Sequence, residues 1–246
     1  MLHQMFFKRC IVSLNQSPIL KQFVIFLALA ASVALSTSFI FIDVLWLHTP
    51  VKEISLTEIS QELFLLANVA IFICCARRSP GMRGGLLLIA GFYAALLIRE
   101  LDGFFDMLHH GAWFWFALAS TALFLILAAN WQASVKPGLL AFIQHPCFAH
   151  TTSGMVVILV FSRLFGMSEL WDALLQDGYL YTVKTAIEEG TELVGYTLCL
   201  FSSAWFALSL LPQRQVALQT EREPRVTRFS AGRREPEVWA RESASR

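Results

Sequence analysis

The chain has 246 residues, of which 56% are hydrophobic and only 15% charged, and its mean hydropathy is +0.58. A soluble domain carries about 25% charged residues, so this composition excludes an ordinary water-soluble enzyme. Lysine and arginine (19) nearly balance aspartate and glutamate (18), which excludes a chain-wide basic surface for nucleic acid.

The apolar residues gather in six runs, at 22–42, 57–76, 84–101, 112–130, 150–165 and 184–211. Each is near the ~20 residues that cross about 30 Å of hydrocarbon as a helix. The runs are continuous, with none of the period-two alternation of a barrel strand. The expected fold is all-α: a polytopic membrane protein whose six transmembrane helices occupy 22–211, between an N-terminal tail (1–21) and a disordered tail (212–246).

In chain order, Lys8, Arg9 and Lys21 precede the first run. That run is longer than the ~7–15-residue core of a cleaved signal peptide and is expected to stay as an anchor. The connection after it holds His48 and one basic residue, Lys52, with Asp43 at its start. Arg77, Arg78 and Arg83 fill the second connection, and Trp113 and Trp115 open the fourth run. Lys136, Pro137, Gly138 and Pro146 break up the connection after it, so 139–144 is expected as an interfacial turn or a re-entrant piece. The fifth run is short and carries Arg163. Residues 168–177 read as a surface amphipathic helix, with Ser168 as N-cap and Trp171 at the interface. No Lys or Arg lies in 166–183, whereas the tail after Leu211 holds eight arginines interleaved with Glu221, Glu223, Glu235, Glu237 and Glu242. The basic excess therefore alternates between connections, and the positive-inside rule places both termini in the cytoplasm. The expected location is the cell inner (plasma) membrane, multi-pass, with the lipid bilayer as partner and no nucleic acid. The five cysteines show no disulfide framework.

Charge at bilayer depth costs at least ~2.5–3.5 kcal/mol per residue, so acids at the ends of these runs ask for an explanation. Glu58 and Glu62 open the second run, Arg99, Glu100 and Asp102 close the third, and Glu188, Glu189 and Glu192 open the sixth. With both termini inside, all of them fall at one face, in the outer leaflet. Glu58 and Glu62 are i,i+4 neighbours, with Gln61 and, deeper, Asn68 beside them. Glu188 and Glu192 share a stripe with Gly195, Cys199 and Ser202, while Glu189 points about 100° away. If the third helix persists outward, Asp102, Asp106 and His110 follow at intervals of four. Arg99, Arg163 and Lys184 are too few to neutralise every acid, and crowded carboxylates take up a proton or bind a cation. With His109 or His110 the expected metal ligands are Glu58, Glu62, Asp102, His109, His110, Glu188 and Glu192, and the cofactor a divalent ion. Arg99 and Glu100 are the expected ion-pairing residues, with Arg99 in reach of Glu62 and Glu192. Asp106 and His109 have the i,i+3 spacing of di-iron bundles, but that class uses two such pairs. At the opposite face His145, Cys147 and His150 form a lesser candidate.

Three functional classes follow. One is a cation- or proton-coupled transporter with its site in the outer leaflet. A second is a membrane-embedded metal-dependent enzyme acting on a lipid or periplasmic substrate. The third is a non-catalytic membrane component whose ion pairs are structural.

Overall fold

In the computed structural model, residues 18–48, 55–176 and 181–222 are described, with side chains as far as Leu211. The helices are α1 (Pro18–Trp46), α2 (Leu56–Arg78), α3 (Arg83–Glu100), α4 (Asp102–Asp106), α5 (Ala112–Ala129), α6 (Val135–Ile143), α7 (Phe148–Phe165), α8 (Ser168–Leu175) and α9 (Tyr181–Arg222). No strand occurs among the described residues. Six helices, α1, α2, α3 (with the 3-10 turn before it), α5, α7 and α9, are long and apolar enough to cross a membrane. They match the six apolar runs, and they fit a multi-pass membrane protein. The body of the fold ends at Ser209, and the described part of the unit that begins at Leu210 is the last stretch of α9. Of the expected tails (1–21 and 212–246), residues 1–17 and 223–246 lie outside the described residues, as does Lys52, whereas 18–21 belong to α1 and 212–222, expected as disordered, continue α9.

Helices this apolar gain little from hydrophobicity when they associate in lipid. Close packing of small residues and interhelical hydrogen bonds hold them instead. α9 is the centre of that network. Thr197 donates to Ser36 Oγ of α1 (2.8 Å), and Gln61 of α2 donates to the Glu189 carbonyl (2.8 Å). Tyr196 reaches Glu100 of α3 (2.7 Å), and the Thr151 hydroxyl of α7 donates to Ser202 Oγ (2.7 Å). α7 and α9 cross at Gly154 and Gly195, where a methyl group on Gly154 would stand 2.7 Å from the Gly195 carbonyl oxygen. The stripe through Glu188, Glu192, Gly195, Cys199 and Ser202 is thus the seam against α7. A similar approach joins α6 to the start of α3, where a methyl on Gly85 would come within 2.5 Å of the Val135 carbonyl oxygen.

α1 buries little, with Ser36 and Asp43 its buried residues. Its last turn, Ile42–Trp46, is π-helical and carries Asp43, which is fully buried rather than part of a loop. The Asp43 carboxylate accepts from the backbone N–H of Leu56 (2.9 Å) and Thr57 (2.8 Å) and from the Thr57 hydroxyl (2.6 Å). It therefore caps the positive N-terminal end of α2 from another helix, beside the local cap in which Ser55 Oγ accepts from Glu58 N (3.1 Å).

Three local expectations are corrected. Residues 139–143 belong to the regular helix α6, with Gln144 its C-cap, because Pro137 sits in its first turn, where a missing N–H costs no bond. Met167, not Ser168, holds the N-cap position of α8, and Trp171 is buried against the protein, donating its indole N–H to the Phe165 carbonyl (2.6 Å). The third helix does not persist to His110: it stops at Glu100, and Leu101 (φ −82°, ψ 21°) separates it from the short α4. Toward the arginine-bearing ends of α2 and α3, Phe72, Phe142 and Phe206 close the core. Their ring centroids lie 5.2 to 6.1 Å apart, with Tyr93 stacked on Phe72 at 5.8 Å.

Candidate functional site: a carboxylate layer at one end of the bundle

Two faces of α9 meet two sets of partners. On the first, Glu188 and Glu192 stand one turn apart, and Arg163 of α7 answers both: Nη1 lies 3.3 Å from Glu188 Oε1, and Nη2 pairs with Glu192 Oε1. Lys184 adds a contact to Glu188 Oε2 (3.5 Å), and Ser162 Oγ lies 3.0 Å from Glu192 Oε1. Glu192 is 2% exposed. A π turn, Val157–Phe161, immediately precedes Ser162. Its extra residue changes the rotation of everything after it, so that Ser162 and Arg163 face α9.

On the second face, Gln61 Nε2 donates to Glu189 Oε2 (3.1 Å) as well as to its carbonyl. Among the described residues, no cation forms an ion pair with Glu189. Gln61 is fully buried, and its Oε1 has no hydrogen-bond donor. At the end of α3, Glu100 Oε1 accepts from Tyr196 Oη (2.7 Å) and pairs with Arg99 Nη2 (3.0 Å). Glu62 feels the Glu100 charge, and Glu189 feels Glu100, Glu58 and Glu188. Glu58, Glu62, Glu100, Glu188, Glu189 and Glu192 thus form one layer, served by Arg99, Arg163 and Lys184.

The other expected ligands stay outside it. Asp102 is exposed and accepts from Gly103 N (2.7 Å), its charge reaching only as far as Arg99. Asp106 bonds Gly111 N (2.8 Å) and pairs with His110 (3.1 Å), which is 98% exposed, while His109 Nδ1 turns to the His110 carbonyl (2.7 Å). Among the described residues no group of three His, Cys, Asp or Glu is gathered as a metal ion would need. Arg99 and Glu192 feel each other's charge, but the direct ion pairs run elsewhere. α3 ends at Glu100, so Arg99 folds onto its neighbour, and the π turn delivers Arg163 to Glu192 instead.

At the opposite end, His145 Nδ1 accepts from Cys147 N (3.2 Å) with its ring edge-on to Trp205 and Phe206. Burial, then the nearby Lys21 charge, holds its pKa below that of an ordinary imidazole, and burial raises the Cys147 thiol. His150 packs on Phe201 and Trp205. These residues serve ring packing and share no common point.

No protein-family model, curated protein or solved structure matches the chain.

Glu192 is buried but Arg163 is about half exposed (46%), so removing Arg163 leaves one buried charge bare at a cost on the order of 1–3 kcal/mol, less than for a fully buried pair. Arg163→Ala should lower unfolding stability in detergent by that order, and adding Glu192→Gln should recover most of the loss. An Arg163→Ala protein as stable as wild type would remove the bridge from the account.

Proposed function

We propose that this chain is a six-span plasma-membrane protein with both termini in the cytoplasm, and that the carboxylate layer at its outer face is a proton-binding site serving proton-coupled transport. The orientation rests on charge. Arg77, Arg78, Arg83 and Lys136 lie at the end opposite the layer, and no Lys or Arg lies in 166–183.

The observation that carries the reading is the Glu189–Gln61 pair. A carboxylate held by a neutral amide retains its charge in a low-dielectric setting unless a proton or cation joins it. The orphaned Gln61 Oε1 beside it has room for a donor, and a carboxylic O–H or a water molecule supplies one. The count points the same way: six acids stand against three cations in the layer. A metal ion has less support, because the acids turn individually to Arg163, Lys184, Arg99, Tyr196, Ser162 and Gln61. The ion pairs alone would suit a structural component, yet they leave Glu189 unanswered.

Infrared difference spectra recorded while the pH falls from about 8 to about 5 should show the carbonyl band of a newly formed carboxylic acid. Glu189→Gln should remove that band or shift it, and its persistence unchanged would assign the proton elsewhere. A band missing from the wild type would end the proton reading. For the topology, a fluorescent reporter joined after Arg246 should be bright in the cytoplasm; activity of an exported reporter at that position would invert the orientation.

A further inference from the structure

Three helices repeat one step. Gln61 of α2, Glu100 of α3 and Glu192 of α9 belong to the carboxylate layer. Seven residues further into the bundle along each helix stand Asn68, Tyr93 and Cys199. Seven residues are two helical turns, about 10 Å of rise, so the three helices bring a second set of polar side chains to a common depth. Asn68 is fully buried, Tyr93 is 1% exposed and Cys199 is fully buried. Leu65 and Leu193, both fully buried, lie between the two levels on α2 and α9.

Two atoms at this second level have no partner. Asn68 Nδ2 donates to the Phe64 carbonyl (2.8 Å), but Asn68 Oδ1 receives nothing. The Tyr93 hydroxyl stands beside Cys199, Thr151 and Ser203 without a hydrogen bond of good geometry. Orphaned polar atoms in an apolar interior are costly, and buried water commonly satisfies them where several polar groups converge. A phenol, a thiol and the hydroxyls of Thr151 and Ser203 meet at Tyr93, and the helical step puts the Asn68 amide oxygen at the same depth on α2. None is charged, which suits water better than an ion. Below them stand the Phe72, Phe142 and Phe206 rings, and the Thr151–Ser202 hydroxyl chain beside them ends on the Cys147 carbonyl, so the polar level closes on an aromatic floor and a backbone acceptor.

We propose that Asn68 and Tyr93 line a second buried site that binds water and extends the proton path inward from the carboxylate layer, the aromatic floor being the barrier beneath it. Its use by protons rests on the reading of the layer given above; its occupancy by water does not. A water that donates to Asn68 Oδ1 is held in place by that acceptor and exchanges protons with the Tyr93 hydroxyl, which both donates and accepts, with no net chemistry.

X-ray radiolysis of the whole protein in detergent, followed by mass spectrometry, tests the site, because hydroxyl radicals formed from bound water oxidise the residues beside it. Tyr93 should be oxidised several-fold faster than Phe72 and Phe206, which are as deeply buried. Asn68→Leu should bring Tyr93 down toward their rate. Equal rates for Tyr93 and the two phenylalanines in the wild type would overturn the proposal without need of any variant. A fast Tyr93 that ignores a folded Asn68→Leu would remove Asn68 from the site and overturn the proposal as stated. Radiolysis reports water and not protonation, so a failure here is distinguishable from a failure of the carboxylate titration.

Discussion

Arg163 stands where one guanidinium must serve two glutamates on the central helix. Its charge is fixed at any accessible pH, and its fork reaches Glu188 with one nitrogen and Glu192 with another. Glu192 is too deeply buried to rely on water, so α7 and α9 are held in one register by that contact. The Gly154–Gly195 crossing further along repeats the register by shape, and the chain Thr151–Ser202–Cys147 carbonyl repeats it by hydrogen bonding (2.7 and 2.8 Å). Once α9 is fixed in rotation by its α7 seam, its other face is fixed too. Glu189 must then meet Gln61, and Tyr196 must meet Glu100.

Both π turns among the described residues serve this arrangement. One turns Asp43 onto the start of α2, and the other turns Ser162 and Arg163 onto α9. In each case an extra residue in one turn brings a charged side chain inward at the end of an otherwise apolar helix. Such turns recur at functional sites. Here they supply the end of the bundle with a buried helix cap and a buried bridge, leaving the excess acids to the Glu189 side.

Much of this was legible in the residues. The six apolar runs foretold six helices long and apolar enough to cross a membrane, and the four-residue spacing of Glu188 and Glu192 foretold a shared face with Glu189 turned away. The acids of α2, α3 and α9 do form one layer. What the residues hid is of two kinds. The π turns shift rotation by about 100° with no composition signal, so the residues named Arg99, Arg163 and Lys184 as the available cations without showing that Arg163 makes the direct pair with Glu192. The stop of α3 at Glu100 was hidden as well, because the decision lies in the backbone of Leu101 and in the Gly103 that follows. That stop sends Asp102, Asp106, His109 and His110 into their own connection. Asp43 could have been noticed as a lone acid in an apolar stretch. Tyr196 lies one turn from Glu192, so it too was within reach of a periodicity argument.

The central claim is that the carboxylate layer takes up a proton and that Glu189 is where the excess charge resides. Counting protons tests it most directly: a dilute, unbuffered sample of purified protein is titrated between about pH 8 and about pH 5, and the uptake per molecule is compared with that of Glu189→Gln. The account predicts that the variant, folded as judged by its helical circular dichroism, takes up about one proton fewer. Equal uptake by the two proteins would contradict it and leave the layer a set of structural ion pairs.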